Sequence, residues 1–239
     1  MFMQFADKII VMHNKDVAVI IPIFNEAAVI EDIVNDVLKK FDNVICIDDG
    51  SCDESAAAIA KTKALLVQHP INLGQGAALQ TGIDFALLNT GVKYFVTYDA
   101  DGQHGLDDVL NMLETIRTSN VDIVLGSRFL GNAKNITWFK KAILKLAIAF
   151  SNSVSGIKLT DAHNGLRVFN RKVASQLNIT MPDFSHASEI VERIAHKKFS
   201  YKEVPITVAY TDYSRKKGQS VVNAVNISFD VLLNKVTRR

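Results

Sequence analysis

Apolar runs of strand length alternate with segments of helical period through the first half of the chain, and few folds accommodate that order. Val17–Ile23 is followed by Ala27–Lys40, Val44–Ile47 by Ser55–Lys61, and Ala64–Val67 by Gln75–Leu88. Tyr94–Tyr98, a helix near Leu106–Arg117 and Ile123–Gly126 continue the series. Strands that are apolar at consecutive positions are buried on both faces, and helices between them cover those faces. The predicted fold is α/β, a Rossmann-like, mainly parallel sheet flanked by helices. Sheets of this kind collect ligands beyond the carboxyl ends of their strands.

After Ser127 the alternation fades. A helix near Trp138–Ser155, a loop Asp161–Gly165, a strand near Leu166–Phe169, a helix Ser185–His196, an extended Tyr201–Tyr210 and a last helix from Val221 are predicted. No repeat, linker or change of composition marks a boundary, so residues 1–239 read as a single domain. Lys and Arg number 27 against 25 Asp and Glu, a net charge of +2, which offers no general field for nucleic acid. Cys46 and Cys52 form neither a metal spacing nor a disulfide framework. The first fifteen residues lack the pattern of a signal peptide. The apolar stretch Ala142–Phe150 is about half of the roughly 20 residues that cross a bilayer. A cytoplasmic chain with no spanning segment is expected.

The strongest chemical signal is Tyr98-Asp99-Ala100-Asp101-Gly102-Gln103-His104. Two carboxylates one residue apart, just beyond an apolar strand, sit where a parallel sheet presents its ligand. Oxygen donors suit Mg²⁺ or Mn²⁺, which bind a few carboxylates together with substrate phosphates. Such an ion would stabilise a leaving pyrophosphate. A turn at Asp101-Gly102 with Asp99 as a helix cap is the plainer alternative. A calcium loop is excluded, because its Gly position holds His104 and its closing Glu position holds Leu110. Asp48-Asp49-Gly50-Ser51 ends the second strand in a similar way, either as a turn or as acceptors for a base or ribose. Asn72-Leu73-Gly74-Gln75-Gly76 lacks the third small residue of a dinucleotide fingerprint, and Phe24-Asn25-Glu26 has no Gly at all.

These segments jointly carry a resemblance: Ile21-Pro22-Ile23-Phe24-Asn25-Glu26, Asp48-Asp49-Gly50-Ser51, Asn72 through Gly76, Asp99-Ala100-Asp101, Gly126-Ser127-Arg128, and Asp161 through Arg167. In this order, over about residues 17 to 220, the chain resembles the family 2 glycosyltransferases of GT-A fold, and within them the dolichyl- or polyprenyl-phosphate sugar synthases. The resemblance implies a metal-dependent enzyme with residues 17–127 as its nucleotide-sugar half and 128–239 as its acceptor half. It implies that Pro22, Phe24, Glu26 and Asp49 hold base and ribose, and that Asp99, Ala100, Asp101 and Gln103 form the metal and pyrophosphate site. Arg128 and Arg167 match arginines near donor or acceptor phosphates, and a planar guanidinium can grip two phosphate oxygens. Arg167 as a partner for Asp161 is the structural alternative. Arg215, in Tyr213–Ser220, matches a mobile segment that closes over the donor, although Val221 stands where the family has Lys.

The implied reaction is an inverting transfer from a nucleotide diphosphate sugar to a polyprenyl phosphate, with Asp101 and Arg128 in catalytic roles. An anionic acceptor needs no base. A sugar hydroxyl would need one, and Glu189 or Glu192 is the candidate. The alternatives are a transferase that extends a lipid-linked or cell-wall saccharide, and a nucleotide-sugar-binding subunit without turnover. A small membrane-protein partner and a homo-oligomer stay open. His104 is read as a helix cap, and His163 and His186 as loop or surface residues. Phe139, Ile143, Leu146 and Phe150 recur at helical spacing beside Trp138, Lys140, Lys141 and Lys145, a make-up suited to a lipid interface or to burial.

Overall fold

The computed structural model describes residues 14–134, 138–162, 164–181 and 185–209. Arg215, the Tyr213–Ser220 segment, the helix from Val221 and His163 lie outside them. The described elements run β1 (Val17–Ile23), α1 (Ile30–Leu38), β2 (Asn43–Asp48), α2 (Ser55–Ala60), β3 (Leu65–Gln68), α3 (Gln75–Asn89), β4 (Tyr94–Thr97), α4 (Leu106–Ser119) and β5 (Ile123–Lys134). They continue with α5 (Trp138–Ser155), β6 (Arg167–Asn170), α6 (Arg171–Leu177), α7 (His186–Lys197) and β7 (Tyr201–Ala209). One sheet of order β3-β2-β1-β4-β6-β5-β7 holds all seven strands. Only β6 runs against its neighbours.

Strand alternation sorts the core into two layers. Val17, Val19, Ile21 and Ile23 of β1 face a cluster completed by α1, α2 and α4, whereas Ala18 and Ile20 face one completed by α3, α6 and α7. All seven residues of β1 are buried, which is why no polar residue interrupts its sequence. Pro22 sits inside this central strand, where a missing N–H should break a ladder. The β1–β4 ladder ends first: its last pair is Ile20–Thr97, and Tyr98 N donates to Ile20 O at 3.0 Å. Pro22 faces the same side as Ile20, so its missing donor falls where β4 has already left. The strands β1 and β4 thus part at their carboxyl ends, at the point where the strand order reverses direction.

Several boundaries differ from the sequence prediction for local reasons. Helix α1 starts at Ile30 and not Ala27, because the N–H groups of Asn25, Glu26 and Ala27 are committed to Ser51, Ser55 and Asp53. Strand β5 extends to Lys134, since β7 pairs along it on both sides of an irregularity between Ser127 and Asn132. The division expected at Ser127–Arg128 therefore falls inside a strand. Helix α6 was not predicted. It is seven residues long, capped by the Asn170 side chain accepting from Val173 N, and Arg171 turns its guanidinium onto the carbonyls of Leu87, Thr90 and Val92 at the end of α3.

Phe95 and Phe169 are directly opposed across β4 and β6, fully buried, with rings 5.8 Å apart and nearly parallel. Phe169→Ala is expected to lower stability by about 3–5 kcal/mol, read as a shift of the denaturant midpoint with an unchanged slope.

Candidate active site

The carboxyl ends of β1 and β2 carry loops that are tied to one another. Asn25, in a left-handed conformation with φ 56°, donates its N–H to Ser51 Oγ at 2.9 Å and accepts from Cys52 N at 2.8 Å. Gly50 has φ 69°, and a Cβ there would fall 2.5 Å from Asn72 N, so only Gly lets this loop touch the one after β3. Phe24 stands 43% exposed at this rim, while Pro22 is buried beneath it.

Asp49 lies on the same edge but is not open to a ligand as the sequence suggested. Its Oδ1 accepts from Leu73 N at 2.9 Å and pairs with His69 Nδ1 at 2.7 Å, and its Oδ2 accepts from Gly74 N at 2.8 Å. The carboxylate is 2% exposed and shapes the loop that leads into α3. The signal was present in Asn72-Leu73-Gly74, whose N–H groups at a helix start need an acceptor.

Beyond β4, successive side chains point to opposite faces. Tyr98 and Ala100 enter the core beside α1 and α4, so Ala100 can offer a ligand only its backbone. Asp99 turns toward α3, where Gln75 Nε2 donates to Oδ1 at 3.2 Å and His104 Nε2 lies 3.2 Å from Oδ2. A Cβ on Gly165 would collide with the Asp99 carboxylate, so any larger residue where these two loops cross would displace that carboxylate. Asp101 accepts from Gln103 N at 3.1 Å, and the Gln103 amide closes on its second oxygen. Burial pushes the Asp99 carboxyl up, yet the bond to His104 and the positive field of His104, Arg167 and His186 outweigh it and hold it below the usual range. Asp101 goes the other way, to about 6, through burial and the neighbouring charge of Asp99.

The two expected arginines are brought to this edge by different elements. Arg128 follows Ser127 on β5, and its N–H and Nε both donate to Asp161 Oδ2, at 3.0 and 2.6 Å. Asp161 is itself placed by Glu203 of β7, which accepts from the N–H groups of Thr160 and Asp161. The structural alternative that paired Arg167 with Asp161 does not hold, since Asp161 bonds Arg128. Arg167 opens β6 opposite Thr97, 2% exposed, in the field of Asp99 and Asp161. Burial lowers it to about 10 against those charges, and it stays a cation at neutral pH. Among the described residues, the buried side-chain atoms without a hydrogen-bond partner are Arg167 Nη1 and Nη2, His104 Nδ1 and Asp161 Oδ1. All four belong to this edge.

Three sequence expectations change here. His104 does not cap α4, whose N-cap is Gly105; it is 7% exposed and holds Asp99. His186 is not a surface residue but 3% exposed, against Gly76 at the start of α3. Glu189, expected as a proton acceptor, is 2% exposed and saturated: it accepts from Thr180 N and Oγ1, Met181 N and Arg193 Nη2 at 2.7–2.9 Å. It fastens the 180–181 segment to α7. No sequence signal separated His104 or Glu189 from ordinary helix-start residues.

Burial raises the Glu189 carboxyl, but its bonds to Met181, Arg193 and Thr180 hold it below the usual Glu value of 4.5. A depressed carboxyl contributes stability that is complete above its unfolded pKa and is lost as pH falls through the folded one. Glu189→Gln is therefore expected to cost about 2 kcal/mol at pH 7. The gap to the parent should narrow as unfolding is measured at successively lower pH, below 4.5.

Comparisons with known proteins place this edge in context. The model of Glycosyl transferase family 2 matches residues 18–177, which hold the loops after β1, β2 and β4 together with Arg128, Asp161 and Arg167. A UDP-N-acetylglucosamine–dolichyl-phosphate N-acetylglucosaminyltransferase of Methanococcus voltae is 30% identical over 251 residues, 94% of this chain and 98% of the relative. Polyprenol monophosphomannose synthase of Mycolicibacterium smegmatis is 30% identical over 222 residues, 87% of this chain and 82% of the relative. Glucosyl-3-phosphoglycerate synthase from Mycobacterium tuberculosis, solved with Mn²⁺, uridine diphosphate and phosphoglyceric acid, superposes with a TM-score of 0.71 at 17% identity, over 94% of this chain and 78% of that one, which establishes the shared GT-A fold. The chain is a member of glycosyltransferase family 2.

Proposed function

We propose that the protein transfers a sugar, with inversion, from a nucleoside diphosphate sugar to a polyprenyl phosphate. One observation carries the reading: a buried guanidinium with two unengaged Nη groups lies in the field of Asp99, the first acid of the Asp99–Asp101 turn, at the carboxyl edge of the sheet where β6 begins opposite the end of β4. A pyrophosphate with a divalent cation answers both features, since its oxygens satisfy the donors and its charge balances the cations. The relatives from Methanococcus voltae and Mycolicibacterium smegmatis, named for dolichyl phosphate and polyprenol, support the acceptor class.

Among the described residues no three His, Cys, Asp or Glu side chains gather into a metal site of their own. An ion held by one or two carboxylates and by substrate oxygens fits that arrangement, and Asp99, Asp101 and Gln103 are the donors for Mg²⁺ or Mn²⁺. When bound, the ion stabilises negative charge on the departing diphosphate. The chain's own groups position the rest. Arg167 meets phosphate oxygens with its free Nη groups, and Arg128, fixed by Asp161, borders the same space. Phe24, Glu26 and the loop shaped by Asp49 form the rim for base and ribose. An oxygen of the acceptor phosphate forms the bond to the anomeric carbon while the bond from that carbon to the diphosphate breaks. The acceptor arrives as an anion, so no proton has to be removed, in keeping with the commitment of Glu189 elsewhere. Among the described residues no helix is long and apolar enough to cross a membrane.

The test is incubation with a panel of nucleotide sugars, Mn²⁺ or Mg²⁺ and a polyprenyl phosphate, with glycolipid detected by mass. Product from a polyprenyl phosphate supports the reading; product only from a soluble saccharide removes it. Asp101→Asn should lower turnover at least about 100-fold, as expected for loss of an electrostatic group at the reacting centre. Its melting temperature should be unchanged or higher, because a half-buried charge repelled by that of Asp99 is removed. In the metal-free protein the Asp101 proton competes with the ion, so half-saturation should need about ten times more metal for each pH unit below about 6.

A further inference from the structure

We infer that the outer face of α5 is the surface by which this protein rests on an anionic lipid bilayer. The inference deepens the polyprenyl-phosphate reading and rests on it for its biological sense, but not for its geometry. Trp138 is 80% and Leu146 72% exposed. Lys141, Ala142, Lys145 and Ala149 are exposed with them, while Ile148, at the border of this face, is buried against the core and Ser151, farther round the helix, is buried too. Counted from Trp138 these positions fall at steps of 3, 4, 7, 8 and 11, which is one continuous stripe of a helix. The sequence pattern had put Ile143 on the interfacial stripe; the structure makes it half-buried and brings Trp138 and Ala142 out with Leu146.

An exposed Trp and Leu flanked by lysines make an apolar strip with a cationic border, the arrangement that lies at a headgroup boundary. The charge around it points to one occupant. Between Phe129 and Thr160 the chain carries Lys134, Lys140, Lys141, Lys145 and Lys158 and no Asp or Glu, although acids and bases nearly balance over the whole chain. A basic segment of this length in a chain of net charge +2 complements a negative surface and repels a second copy of itself. The strand that carries Arg128 is the element before this helix in the chain.

Trp138 is the only tryptophan, so its fluorescence reports on this face alone. With the full chain and vesicles of phosphatidylglycerol and phosphatidylcholine, its emission should shift to the blue and be quenched by brominated acyl chains. Neither change should occur with pure phosphatidylcholine. Lys141→Gln with Lys145→Gln should weaken partitioning into anionic vesicles about thirtyfold at low salt. Turnover on a short-chain, water-soluble polyprenyl phosphate should be unaffected. The inference is overturned if the protein sediments with anionic vesicles while Trp138 emission stays unchanged, or if the double variant partitions like the parent. A lipid-free dimer that Leu146→Glu dissociates would overturn it too, by giving the stripe to a second copy. If vesicle binding behaves as expected but polyprenyl phosphates of every length fail as acceptors, the acceptor reading fails and the docking surface stands.

Discussion

A guanidinium buried without a hydrogen-bond partner is among the more costly groups a folded chain can hold. Arg167 is such a group, and the fold around it shows how the cost is contained. Its strand, β6, is the one that runs against its neighbours, inserted between β4 and β5, so the start of β6 meets the end of β4 at the carboxyl edge. Asp99 and Asp161 flank it and offset the charge without engaging its Nη groups. Gly165 keeps the connecting loop thin enough for the Asp99 carboxylate to fit, and Thr97 ties that loop to β4 through the Gly165 carbonyl at 2.6 Å. A purely stabilising design would have paired or removed the cation. Retaining it with its donors unspent supports the proposed diphosphate site.

The acids of the chain divide by what their oxygens are committed to. Asp49 and Glu189 are each met by several backbone or side-chain donors and serve as ties between loops. Asp161 spends one oxygen on Arg128 and leaves the other without a partner. Asp99 and Asp101, one residue apart, experience opposite electrostatic conditions, because Asp99 faces cations and Asp101 faces Asp99. That contrast leaves one carboxylate firmly ionised and its neighbour in need of added positive charge at moderately acidic pH.

Much of this was legible in the sequence, and the rest was hidden for identifiable reasons. The buried strands β1 and β2 announce themselves because Val17–Ile23 and Val44–Ile47 are apolar throughout, and the acids at the end of β2 and just beyond β4 lie where such a sheet binds ligands. The second half of β5 was invisible, since its pairing with β7 passes through an irregularity that destroys any alternation. Roles of single residues were harder to read. Arg128 and Arg167 were both marked as phosphate-binding, yet which one Asp161 would take depends on how β5 and β6 bring them together, and local sequence holds no trace of it. His104 read as a helix cap and His186 as a loop or surface residue, and their burial beside Asp99 and Gly76 follows only from tertiary packing.

The account's central claim is that the partnerless donors of Arg167 and the acids of the Asp99–Asp101 turn form one site for a diphosphate and its cation. A crystal structure of the full chain grown with Mn²⁺ and a nucleoside diphosphate tests it most directly. The claim requires an anomalous peak for manganese at the Asp101 carboxylate, with a phosphate oxygen within hydrogen-bond distance of an Arg167 Nη group. Manganese bound away from both acids, or Arg167 Nη groups turned onto a protein side chain while the diphosphate sits elsewhere, would contradict it.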